Sequence, residues 1–133
     1  MKALSIQEPW AALIAAGVKS IETRSWRTAY RGPLYIHASR AKVDQKDPHI
    51  QRLLSLLPEG SLHPGFVVCR CVLKDCLPMD ESFLGWIEAH PLEKLCGEYA
   101  PGRFAWVLEQ VEPLEAPVAA KGHLSLWEWE PSP

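Results

Sequence analysis

The sequence predicts an α+β domain, a curved and mostly antiparallel sheet flanked by helices. Three observations carry that prediction. Stretches with strand-like alternation and stretches with helical spacing follow one another as β-α-β-β-α-β-α-β-β. That order does not alternate as a parallel, doubly wound sheet would. A chain of 133 residues with ordinary apolar and charged fractions also makes one domain, able to bury a core without staples. We assign residues 1–130 to that domain and 131–133 to a short frayed tail.

Ala3 to Ile6 reads as a short strand. Pro9 suits the first turn of a helix, where its missing N–H costs nothing, and Trp10, Leu13, Ile14 and Gly17 form an inward stripe. Gly17 ends that helix, because glycine takes the left-handed C′ position without strain. If the chain then extends, Ser20, Glu22 and Arg24 share one face while Ile21 and Thr23 share the other. A basic, turn-rich loop runs from Arg27 to Pro33. Leu34 to Ser39 follows as a strand with Leu34, Ile36 and Ala38 on one face. Its His37 reads as a structural residue with its hydrogen bonds satisfied.

Asp44 to Leu57 carries a helical stripe ended by Pro58-Glu59-Gly60. Gly65 to Cys76 is the clearest strand, closed by Pro78. Asp80-Glu81-Ser82 caps a helix running towards His90, which Pro91 breaks. Gly97 to Gly102 is a loop and Arg103 to Val111 a central strand, apolar on both faces. Pro113 and Pro117 mark a connector, and Leu124 to Glu130 forms a last strand or turn carrying Trp127 and Trp129.

Composition narrows the function. No run of about 18 apolar residues is present, so no membrane span is expected. Glu8 and Pro9 interrupt any signal-like start, so a cytoplasmic location is expected. A net charge of −2 argues against a generic nucleic-acid coat protein. The charge is nonetheless uneven. Between Gly17 and Lys42, six cations face Glu22 alone, whereas nine carboxylates face Lys94 and Arg103 between Asp75 and Glu115. That split fits an anionic ligand met on one face. Cys69 and Cys71 lie in an apolar strand, and with Cys76 and Cys96 they lack the paired spacing of a zinc site. They read as buried free thiols. No metal and no cofactor is expected.

The segment Gly17-Val18-Lys19-Ser20-Ile21-Glu22-Thr23-Arg24 places two cations and a carboxylate at a helix–strand junction. It resembles the GxKxxExR signature of the ASCH domain. The resemblance also takes in Ser5 to Trp10, Arg24-Ser25-Trp26, Tyr30 to Leu34, Pro101 to Leu108, and Lys121-Gly122 before Leu126-Trp127. Residues 42–63 and the acidic segment after Pro78 are unmatched. The resemblance implies a PUA-like fold, in which the sheet curls into a small β-barrel. It also implies an RNA or nucleoside ligand in a cleft beside the signature, and with it a role in RNA metabolism or translation-linked regulation.

On the residues themselves, Arg24 offers a planar fork suited to a phosphate or a base edge. Ser5 and Gln7 border the cleft in the resemblance, and Arg31, Arg103 and Lys121 are loop cations placed to meet phosphates. Trp26 is the better candidate for stacking a base, while Trp10 and Trp106 read as core. An ammonium drawn out of water beside a second cation gives up its proton more readily, so Lys19 with Glu22 forms the candidate catalytic pair if the protein is an enzyme. One bacterial branch of the superfamily, N4-acetylcytidine amidohydrolases, uses a Lys, Thr and Glu set with a GxKxxTxR-like motif. Lys19 matches its lysine, but Glu22 stands where that branch has threonine. A metal-independent ribonuclease is a further alternative, and a protein-interaction module using the acidic, Trp-rich later half is a third. The expected partner is RNA, single-stranded nucleic acid or a nucleoside.

Overall fold

The computed structural model describes residues 1–131; Ser132 and Pro133, most of the predicted tail, lie outside them. Ten elements follow in order: β1 (Lys2–Ile6), α1 (Trp10–Ala15), β2 (Ile21–Arg24), β3 (Gly32–Ala38), α2 (Pro48–Leu54), β4 (Phe66–Pro78), α3 (Glu81–Glu88), α4 (Pro91–Leu95), β5 (Phe104–Ala119) and β6 (Leu126–Glu128). The six strands form one sheet in the order β2-β5-β4-β3-β1-β6. Only β1 and β3 run parallel; every other pair is antiparallel. The sheet curls into a half-barrel with helices around it, as the α+β reading and the resemblance imply.

The curl comes from the β4–β5 ribbon, whose register shifts three times. At one shift Val72 opposes Glu109 and Arg70 opposes Glu112, so β5 carries one extra residue. Gln110 absorbs it in the left-handed region at φ 52°. Each such bulge bends its strand and adds twist. The concave face packs Leu4, Ile6, Leu34, Ile36, Cys69, Cys71, Leu73 and the fully buried Trp106 into the main core, with Ala11 and Ile14 of α1 against them. All four cysteines are buried and free. Burial pushes the Cys69 and Cys71 thiols up to about 12.

Three sequence readings are corrected by these elements. Pro113 and Pro117 do not form a connector, because β5 runs straight through them to Ala119. Edge strand β2 pairs with Phe104 to Val107, and the Leu108 N–H still donates to the Ser20 carbonyl, so beyond Leu108 this flank of β5 needs no ladder donor and tolerates proline. Pro91 starts a helix as well as breaking one, since it occupies the first turn of α4. The stripe from Asp44 to Leu57 yields a shorter helix, because Asp47 accepts the His49 N–H as N-cap and Pro48 fixes the start.

Candidate ligand-binding cleft

The site begins at the end of α1. Gly17 sits at φ 77° in open space, so a side chain there is disfavoured by backbone conformation, not by crowding. The Val18 N–H donates to the Leu13 carbonyl at 3.0 Å and the Gly17 N–H to the Ile14 carbonyl at 3.0 Å. This is the Schellman closure, and it turns the chain sharply out of the helix into β2. Lys19 lies in that turn and Glu22 and Arg24 on the strand that follows.

Lys19 is 1% exposed, which a lysine tolerates only with partners. Its Nζ donates to the Cys96 carbonyl at 2.6 Å and stands 3.7 Å from Glu22 Oε1. Glu22 is itself buried. Its Oε1 also accepts the Thr23 N–H at 3.1 Å, and its Oε2 accepts Arg24 Nε at 3.1 Å and Nη2 at 2.9 Å. Arg24 Nη2 reaches further, to the Ser5 carbonyl on β1 at 2.9 Å. One carboxylate thus holds two cations, leaving the cluster one positive charge in excess at the floor of the cleft.

The cleft has a volume of about 630 Å³. Lys19, Glu22, Thr23 and Arg24 line its floor, Trp10 and Trp26 its aromatic surfaces, and Ser5, Gln7 and Arg103 its rim. Trp26 is fixed edge-on to Trp106, with centroids 4.7 Å apart, and its carbonyl accepts the Trp106 indole N–H. Arg103 donates to the Glu98 carbonyl at 3.0 Å, and the Glu98 N–H donates to Thr23 Oγ1 at 3.1 Å. Gly97 is pressed flat here, since a Cβ would meet Tyr99 at 2.7 Å and Thr23 at 2.9 Å. The Tyr99 hydroxyl is buried without a hydrogen-bond partner, and burial pushes its pKa up.

Of the residues singled out from the sequence, Ser5, Gln7, Lys19, Glu22, Arg24, Trp26 and Arg103 meet around this cleft. Arg31 does not. Its guanidinium donates to the Thr28 and Tyr30 carbonyls and lies 3.5 Å from Asp75. Lys121 lines a separate cavity, which it shares with Ser5. His37 is buried, as a satisfied structural histidine should be: Nδ1 faces Ser5 Oγ at 3.0 Å and Nε2 faces the Ala120 carbonyl at 2.8 Å. Burial lowers its pKa, with the charges of Arg40 and His123 acting the same way.

No reading of the sequence pointed to His49 or the segment Cys96-Gly97-Glu98, which line the cleft, and Trp10, a possible stacking surface read rather as core, lines it too. Trp10 belongs to the core and to the cleft wall at once. The Cys96 partner of Lys19 is a backbone carbonyl, which no residue identity announces. Among the described residues no three His, Cys, Asp or Glu side chains are grouped so as to hold a metal ion. Among them, too, no helix is long and apolar enough to cross a membrane.

Human activating signal cointegrator 1 is 37% identical over 81 residues, and the mouse protein of the same name is 36% identical over 81. The aligned stretch covers 56% of this chain but only 14% of either relative, so the chain matches one portion of much longer proteins. The family profile of the ASCH domain matches residues 4–118, which hold the Lys19–Glu22–Arg24 relay, the aromatic surfaces and Arg103. The chain belongs to the ASCH domain family.

Proposed function

We propose that the protein is an RNA- or nucleotide-binding module, reading its ligand in the cleft at the GxKxxExR segment, in RNA metabolism or translation-linked regulation. The observation that carries this reading is the Lys19–Glu22–Arg24 cluster, with Lys19 and Glu22 buried and Arg24 partly exposed, in one cleft with two half-buried tryptophans. A base is flat and edged with hydrogen-bonding groups, and its phosphate is anionic. Trp26 or Trp10 offers the flat face to stack on, and Arg24 and Arg103 the donors for an edge or a phosphate. Glu22 supports binding more than proton transfer, because both its oxygens already accept hydrogen bonds or face a cation. Ser5 and Gln7 complete the rim on the β1 side.

Equilibrium binding of short single-stranded RNA tests this. Trp26→Ala should weaken binding by about 1–3 kcal/mol if one base stacks there. Arg24→Lys keeps the charge but loses the fork, and should weaken it as well. Wild-type affinity in both variants would defeat the reading.

One feature favours hydrolysis in the same cleft: the ammonium of Lys19 lies at its floor, out of bulk water. In that reading Lys19 and Glu22 act on a modified nucleoside or an RNA phosphodiester. Mass spectrometry of nucleosides and short RNA incubated with the wild type and with Lys19→Met separates the two readings. Product from the wild type alone makes the protein an enzyme, and no product with binding retained leaves it a reader.

A further inference from the structure

A second cavity, of about 830 Å³, opens beside the first and shares Ser5 with it. Strand β3 contributes His37, the segment after it Ser39 and Arg40, and the connector from β5 to β6 contributes Lys121 and His123. Among the described residues no carboxylate lines this cavity. In the first cleft Lys19, Arg24 and Arg103 all stand within 4 Å of a carboxylate, whereas among the described residues Arg40 and Lys121 have none so close. Both are exposed. The connector that carries Lys121 is built into place. The Ala120 carbonyl is tied to His37 Nε2, and a Cβ on Gly122 would stand 2.7 Å from His37 and 2.8 Å from Ser5 Oγ.

We propose, resting on the cleft reading above, that the ligand is a single-stranded polynucleotide and not a free nucleoside. One base occupies the first cleft, and the sugar-phosphate backbone passes over Ser5 into the second cavity. There Arg40 and Lys121 meet successive phosphates. A mononucleotide fills the first cleft alone and has nothing to offer these two cations. A longer strand releases counterions from both places, so its affinity is higher and more sensitive to salt.

The test compares nucleoside monophosphates with single-stranded RNA from dinucleotides to about octanucleotides, over a salt series, in four proteins. These are the wild type, Arg40→Ala, Lys121→Ala and the cleft variant Trp26→Ala. Both substituted cations are exposed and bond to nothing described, so the folded state is retained. The expected result is that affinity climbs with strand length. Arg40→Ala and Lys121→Ala should then each flatten the logarithmic salt slope by about 0.7 for oligonucleotides. Mononucleotide binding should stay unchanged in both. If mononucleotides bind as well as oligonucleotides, and the two variants match wild type, the second cavity is not a backbone path and the cleft reading survives. Should Trp26→Ala leave all ligands unaffected while Arg40→Ala and Lys121→Ala abolish binding, the basic cavity binds alone. The shared path, and the cleft reading beneath it, then fall together.

Discussion

At the scale of single residues, Glu22 is a buried carboxylate on which two cations depend. Glu22→Gln strands the fully buried Lys19 ammonium beside Arg24, and breaking such a pair costs about 3–5 kcal/mol. Lys19→Met removes the buried charge itself and leaves Glu22 its bond to Arg24, so it should cost less. Urea denaturation of the two variants checks the order, and equal losses would refute the account of Glu22 as the hub. His37 makes a second prediction. Its folded-state pKa is lowered, so below about 6.5, the ordinary histidine value, the unfolded chain takes up a proton that the folded one refuses. Stability is therefore complete above that pH and is lost as pH falls through it, by at most about 1.4 kcal/mol per unit. Melting temperatures at a series of pH values should show this slope in wild type, and His37→Gln should flatten it.

At the scale of elements, Gly97 and Gly122 set how closely two connecting segments approach their strands. Gly97→Ala pushes the segment carrying Glu98 and Arg103 away from Thr23 and Tyr99. The cost expected from overpacking is about 1–3 kcal/mol of stability, with weaker ligand binding besides. Chemical denaturation alongside RNA titration measures both. Glu8 acts between elements as well: its buried carboxylate accepts the Ala12 N–H of α1 at 2.8 Å and the His63 N–H at 2.9 Å. This is also the scale at which the sequence was most readable. Alternation located β1, β3 and β4, and Gly17 with the residues after it located the turn into β2. What stayed hidden depended on neighbours in space. The prolines of β5 signal a break until it is known that one flank of that strand is unpaired. Likewise α4 is five residues long, and its purpose shows only when Glu93 is seen to accept the Ser20 and Ile21 N–H groups on the outer edge of β2. The cleft was legible in the same measure: its floor lies within one continuous motif, whereas Cys96, His49 and Glu98 arrive from distant segments with no local signal.

At the scale of the molecule, the four thiols report on the whole fold. Cys69 and Cys71 lie in the main core with their thiols held up near 12, so the reactive thiolate is suppressed as well as shielded. In the native protein both should resist a thiol reagent at neutral pH and become labelled only as the sheet opens. The labelling rate then measures opening of the core, and fast labelling in native buffer would contradict the packing. The sheet has one further large-scale property. Its backbone ladder leaves β2 and β6 at the two ends, and a side chain, Arg24, reaches from β2 across to the Ser5 carbonyl on β1. The guanidinium we propose for ligand recognition is therefore also a bridge between two non-adjacent strands of the sheet. Under the proposed reading, a substitution at Arg24 loosens the junction between β2 and β1 as well as weakening binding, so a melting curve belongs beside every titration of an Arg24 variant.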